Sequence, residues 1–231
     1  ERGTSDDVVV ATKAGRRASP HVPDAFTLDN LRTWTDRSRR NLGVETLDLV
    51  QLHCPPPEVY ERDAVFDALD RLVEDGVMRN YGVSVETRAE ALRAIARPNV
   101  ATIQIIANVF RQQPTRDVFV AAQDAGVGII VRVPLASGLL SGRYDETTTF
   151  PDDDHRTFNR DGSAFDIGET FAGIPFEIGV RGAREVASLT PDGVTTAQLA
   201  LRWCVDQEGL STIIHGARNV DQALGNAAVG S

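Results

Sequence analysis

Cysteine and methionine are scarce in this sequence, and each scarcity excludes something. Two cysteines, Cys54 and Cys204, are too few for a disulfide framework. A reducing, cytoplasmic setting is the expectation, and no metal site is expected. Long hydrophobic runs are missing too: none approaches the roughly 18 residues a membrane span needs, and no signal peptide is recognisable. Cations are in deficit. Lys and Arg number 24 against 33 Asp and Glu, a net charge of −9, the opposite of a nucleic-acid footprint. Methionine occurs once, at Met78, and the first residue is Glu1, so the sequence is expected to begin inside a longer chain.

What is present reads as a soluble globular protein, with 42% hydrophobic and 25% charged residues. At 231 residues the chain suits one domain spanning 1–231, a size at which α/β barrels remain undivided. Short apolar runs predict strands at Val8–Thr12, Leu47–Leu52, Asn80–Ser84, Thr102–Ile106, Gly128–Val133 and Ser211–Ile214. Helical periods fall between them, over Leu28–Leu42 with Thr27 as its cap, from Val65 to a stop near Gly76, and over Thr87–Ala96, Arg116–Ala125 and Thr195–Gln207. Strand and helix alternating at this rhythm predict βαβ units and a parallel sheet. Ser141–Pro175, rich in Gly, Asp, Thr and Phe, has no period and reads as a long functional loop.

A doubly wound sheet would carry Gly-x-Gly-x-x-Gly after its first strand; Thr12-Lys13-Ala14-Gly15 stands there instead. A (β/α)8 barrel gathers its chemistry at the C-terminal ends of several strands. Polar residues do stand there: Lys13, His53, Ser84, Gln104 with Asn108, Arg132, and the run His215-Gly216-Ala217-Arg218. Singly, each has a structural explanation. Together at nearly every strand tip, they exceed what packing requires.

The segments VVVATKAG, LDLVQLHCP, GVMRNYGVS, PLASGLLSGRY and IIHGARNVDQALGN resemble, in order, those of the aldo-keto reductases. The resemblance implies an α/β fold of the (β/α)8 barrel type, with about six of the eight strands in this sequence. It implies NADPH-dependent reduction of an aldehyde or ketone by hydride transfer. Lys13 and His53 would be catalytic, Lys13 favouring the phenolate of a tyrosine acid by its charge and His53 orienting the carbonyl. Ser84 and Gln104 would bind the nicotinamide carboxamide. Leu135, Ser137, Gly138 and Leu139 would lie along the pyrophosphate, and Arg132 against the nicotinamide. Gly216 and Arg218 would serve the adenosine 2′-phosphate, with Gln222 and Asn226 on adenine. The partner expected is a small carbonyl compound, with no nucleic acid and no membrane; oligomeric state is not legible.

The sequence also departs from that pattern. The family's aspartate and tyrosine precede the lysine strand, and only twelve residues stand before Lys13, which favours a sequence cut at the front and at the back. Tyr60 is the least unfavourable substitute acid; Tyr81 is expected to pack against helices. Val85 replaces a common asparagine, Gly225 a common acid, and Arg132 a common tyrosine. The charge at Arg132 is expected to disfavour an oxidised, cationic nicotinamide. Two other readings stay open: a cofactor-binding module without turnover, and a Schiff-base lyase using Lys13.

Overall fold

The computed structural model describes residues 8–230. Six strands alternate with helices: β1 (Ala11–Ala14), β2 (Leu47–His53), β3 (Met78–Ser84), β4 (Val100–Ile106), β5 (Gly128–Arg132) and β6 (Leu210–Ile213). The chain divides into two compact units, one running to Gln104 and adding Ala121–Gly128, the other comprising Ile105–Val120 and Ile129 onward.

In the first unit β1, β2, β3 and the start of β4 pair in parallel, each with its successor in the chain. Helix α1 (Leu28–Leu42) returns the chain from β1 to β2, and α2 (Asp63–Glu74) returns it to β3. Thr27 caps α1 by accepting from the Asn30 amide, and Gly43 ends it in the left-handed conformation at φ 68°. Thr87 and Glu90 close a reciprocal capping box at the start of α3 (Arg88–Ile95). Leu31, Leu52, Leu69, Leu72 and Met78 are fully buried in this unit, an apolar layer that supplies most of its stability.

The second unit pairs β5 with β6 in parallel, and its long loop holds the short helix α6 (His155–Phe158). Its core joins Leu139 and Leu140 to Phe171, Phe176, Val180 and Ala200, with Phe176 and Val180 on α7 (Phe176–Ser188) and Ala200 on α8 (Thr196–Val205). Two phenylalanines of the long loop therefore have structural positions. Phe171 is buried in this core, and Phe150 packs edge-on against Tyr144 and Phe176.

Two expectations about elements are corrected, and one helix was not expected. The first strand begins later than expected: Val8 and Val9 are 63% and 72% exposed and precede it. Asp48 Oδ2 accepts from the Val10 amide at 3.0 Å, and the ladder then pairs Ala11–Ala14 with Leu49–Leu52. Lys13 thus lies within β1, opposite Gln51. The helix expected over Arg116–Ala125 is broken at Asp117, giving α4 (Gln113–Arg116) and α5 (Val118–Ala125). The Asp117 carboxylate accepts from the Val118 amide at 2.7 Å, which competes with a continuous ladder. Helix α7 was hidden by small residues on its buried face. One of them, Gly179, has no room for more, since a Cβ there meets Leu139 Cδ1 at 2.5 Å.

Candidate active site

The parallel registers of the first unit determine which side chains share a face. Lys13 stands beside Gln51, Gln51 beside Gly82, and Gly82 beside Thr102; one layer on, His53 stands beside Ser84 and Ser84 beside Gln104. Side chains in register on parallel strands project to the same side, so Lys13, His53, Ser84 and Gln104 belong to one face at the C-terminal ends of their strands. Lys13 and His53 are half-buried, while Ser84 and Gln104 are buried.

Polar groups so enclosed require partners, and they have them. Gln104 Nε2 donates to Gln51 Oε1 at 2.8 Å, Gln51 Nε2 to Thr102 Oγ1 at 3.4 Å, and Ser84 Oγ to Gln104 Oε1 at 3.4 Å. Cys54 Sγ lies 3.9 Å from Ser84 Oγ. Gly82 makes the space for this arrangement, because a Cβ there would come within 2.1 Å of Thr102 Oγ1. Motif reading passes over Gln51 and Thr102. The available signal was the amide Gln51 inside the apolar run Leu49–Leu52, two residues before His53 and hence on its face.

Both tyrosines of this unit are buried. Tyr60 is buried with its hydroxyl lacking a hydrogen-bond partner among the described residues. Burial, and then the charge of Glu90, push its ionisation well above the ordinary phenol range. Tyr81 donates to Asp70 Oδ1 at 2.8 Å on the helix side of β3, in keeping with the packing role expected of it.

The second unit holds a cavity of about 820 Å³ lined by Leu135, Ser137 and Gly138 after β5, by Arg143, Tyr144 and Arg156 of the long loop, and by Gly216, Arg218, Gln222 and Asn226 after β6. Left-handed backbone at Ala136, Ser137 and Gly138 (φ 48°, 55° and 96°) turns the chain sharply here. Gly138 is required twice over, since a Cβ would also meet the Tyr144 hydroxyl at 2.4 Å. Leu139 points the other way, into the core. Ser137 is engaged by the loop: its hydroxyl donates to the Glu169 carbonyl at 3.0 Å and accepts from the Phe171 amide at 3.1 Å.

Opposite these, Asn219 caps α9 (Val220–Ala227) by accepting from the Gln222 amide at 2.9 Å. Gln222 Oε1 accepts from the Arg218 amide at 2.8 Å, and Asn226 Nδ2 donates to the Gly216 carbonyl at 3.2 Å. The two amides on α9 thus hold the loop that carries Arg218. Among the described residues Arg218 and Arg143 form no ion pair. An exposed guanidinium beside a helix N-terminus suits a phosphate group, so this cavity offers a place to an anionic ligand.

Two side chains shape the long loop. Arg156 donates to both carboxylate oxygens of Asp154 (2.9 and 2.5 Å) and to the Tyr144 hydroxyl (2.6 Å), and lies over the Phe150 ring. That guanidinium holds the Asp154 carboxyl well below the usual carboxylate range. Arg132, at the end of β5, is 8% exposed and paired with Glu169. The net positive charge expected at Arg132 is therefore compensated by a carboxylate that the sequence did not reveal.

The family model described as "Aldo/keto reductase family" matches residues 1–231. The aldo-keto reductase YhdN of Bacillus subtilis (strain 168) is 28% identical over 232 residues, covering 96% of this chain and 65% of that protein. The aldo-keto reductase yakc [NADP(+)] of Schizosaccharomyces pombe is 25% identical over 227 residues, covering 95% of this chain and 64% of that protein. The chain therefore spans slightly less than two thirds of these curated relatives. Among solved structures, the glycerol dehydrogenase of Gluconobacter oxydans superposes with a TM-score of 0.76 at 26% identity, over 97% of this chain and 67% of the other. Six strands among the described residues, a match along the whole sequence and a shared fold lead to one conclusion: this chain belongs to the aldo/keto reductase family, and its fold is of that family's (β/α)8 type.

Proposed function

We propose that this chain belongs to an oxidoreductase that reduces an aldehyde or ketone with NADPH. A bound reduced nicotinamide supplies the hydride; the roles below are those of the chain's own residues. The observation that carries the reading is the cavity of the second unit, where Arg218, exposed and without an ion pair among the described residues, stands at the start of α9. A guanidinium there recognises a phosphate dianion by paired hydrogen bonds, which favours NADPH over NADH. The NADP(+) in the printed name of the fission-yeast relative supports the same choice.

In the first unit Ser84 and Gln104 offer a hydroxyl and an amide to a carboxamide. His53 orients a carbonyl oxygen by hydrogen bonding, and Lys13 holds a positive charge on the same face, favouring negative charge that develops there. Ser137 and Gly138 line the pyrophosphate, and Gln222 and Asn226 the adenine. The small-molecule partner is a carbonyl compound. Replacing Arg218 with Ala is expected to raise the Kd for NADPH by about tenfold, roughly one charge-assisted hydrogen bond, and to leave NADH unchanged. Fluorescence titration with both dinucleotides tests this, and an unaltered NADPH-to-NADH ratio refutes it.

One observation favours a second reading, in which these residues bind a dinucleotide without themselves donating the proton. Tyr60 is buried, Tyr81 is bonded to Asp70, and Tyr144 accepts from Arg156, so each tyrosine hydroxyl of the sequence is enclosed or engaged. Consumption of NADPH with a reactive aromatic aldehyde decides for reduction. Tight NADPH binding with no consumption decides for the second reading.

A further inference from the structure

Gln51 is fully buried on β2 and lies within LDLVQLHCP, but the resemblance gives it no role. Its bonds form a directed run: Ser84 Oγ to Gln104 Oε1, Gln104 Nε2 to Gln51 Oε1, Gln51 Nε2 to Thr102 Oγ1. A planar amide has one accepting end and one donating end. Turning Gln104 over by itself would set its oxygen against the oxygen of Gln51, at a separation where a hydrogen bond now stands. Gln104 therefore keeps its sense for as long as Gln51 keeps its own, and the two reverse only together. The hydroxyls of Ser84 and Thr102 at the ends can donate or accept, so the run is held by the amide pair at its centre.

We propose that Gln51 is a positioning residue that couples the Gln104 amide to its own orientation, so that Gln104 cannot turn over while Gln51 keeps its sense. In the sense that the structure shows, the pair presents an accepting oxygen to the NH2 of a nicotinamide carboxamide. The inference rests on the reading of Ser84 and Gln104 as the carboxamide pair. It has a chemical consequence. A cofactor whose carboxamide is replaced by a methyl ketone has no hydrogen to give that oxygen, and a buried acceptor left unpaired is costly.

The test uses the full chain and two variants. Gln51→Met keeps nearly the same volume and removes the amide. Gln51→Glu presents an acceptor to Gln104 Nε2 and so preserves the native sense. Binding of NADP+ and of its 3-acetylpyridine analogue is measured by tryptophan fluorescence, and the Gln104 side-chain amide is followed by 15N NMR without cofactor. The wild type is expected to prefer NADP+ by about tenfold. Gln51→Met is expected to bring that ratio close to one and to shift the Gln104 amide resonances, while Gln51→Glu retains the preference. An unchanged ratio and unchanged resonances in Gln51→Met overturn the proposal. If Gln51→Met does not fold, loss of the preference in a folded Gln51→Glu overturns it. If the wild type binds neither dinucleotide, the carboxamide reading fails. The resonances then decide separately whether Gln51 orients Gln104, and unshifted resonances overturn that too.

Discussion

Tyr60→Phe should make this protein more stable. Tyr60 is 2% exposed, and its hydroxyl is buried with no hydrogen-bond partner among the described residues. Its backbone carbonyl, by contrast, accepts from Arg97 Nε and Nη2 at 2.8 and 2.5 Å, so the ring is held in place by its main chain. A buried hydroxyl without a partner costs about 1–3 kcal/mol, and a phenylalanine of the same shape removes that cost. Allowing for some relaxation, the expected gain is about 1–2 kcal/mol, or roughly 3–6 °C in Tm for a chain of this size. Thermal unfolding followed by far-UV circular dichroism measures it. An unchanged or lowered Tm refutes the reasoning, because it means the hydroxyl is satisfied in solution.

The same residue has a pH signature whose sign is fixed. Burial, then the charge of Glu90, raise its folded-state pKa far above that of a free phenol. A group raised in this way leaves stability untouched below its unfolded pKa of about 10. Above that pH the unfolded chain releases a proton that the folded chain retains, and stability falls by up to about 1.4 kcal/mol per pH unit. Tyr60→Phe is expected to shallow the alkaline decline between pH 10 and 11.5. A slope equal to that of the wild type means that Tyr60 ionises in the folded state. If Tyr60→Phe instead abolishes aldehyde-dependent NADPH consumption while binding persists, Tyr60 is the acid after all.

Three further perturbations follow from particular contacts. Gly82→Ala drives a Cβ to 2.4 Å from the Thr102 carbonyl oxygen as well as onto its hydroxyl; backbone yields little, so a loss of about 3 kcal/mol is expected from overpacking, read by urea unfolding, and a loss under about 1 kcal/mol contradicts it. Glu169→Gln keeps an acceptor for Arg132 and removes the compensating charge, at a cost of about 1–3 kcal/mol for a largely buried pair; thermal melts that coincide with the wild type refute that account of Arg132. Asp154→Asn addresses acid stability: a depressed folded pKa gives stability that is present above the unfolded value of about 4 and is lost as pH falls toward the folded one. The variant should therefore be less stable than the wild type at pH 6, with the gap closing toward pH 2.5. A gap that stays constant rules out a contribution through that carboxylate.

Much of this architecture was legible because strand and helix leave different periods. Helix α1 was readable to its ends, since Thr27 and Gly43 punctuate it by chemistry that acts within a few residues. Strand β1 was not. Val8 and Val9 look like core residues, yet register is set by pairing with β2, and after the Asp48 contact to Val10 the ladder starts at Ala11, three residues later than composition suggests. The break at Asp117 and the Gly-bearing face of α7 escaped for a similar reason: one carboxylate and one close approach to Leu139 override the local period.

At the candidate site, the residues visible in the sequence were those standing at strand ends in recognisable runs, and those it concealed are their partners. Arg132 can be placed from its run, but Glu169, which compensates its charge, comes from a segment without periodicity 37 residues later. Gln104 can be placed, but the amide that orients it lies 53 residues earlier on β2. A motif records the atom that meets a ligand. The partner that fixes that atom's charge or orientation is constrained only to reach it in space, so it has no fixed spacing in the chain. The state of a strand-end residue in this fold, charged or compensated, turned one way or the other, therefore has to be argued from the hydrogen bond behind it. For Gln104 that bond is the one to Gln51, and its two ends determine what a carboxamide would meet.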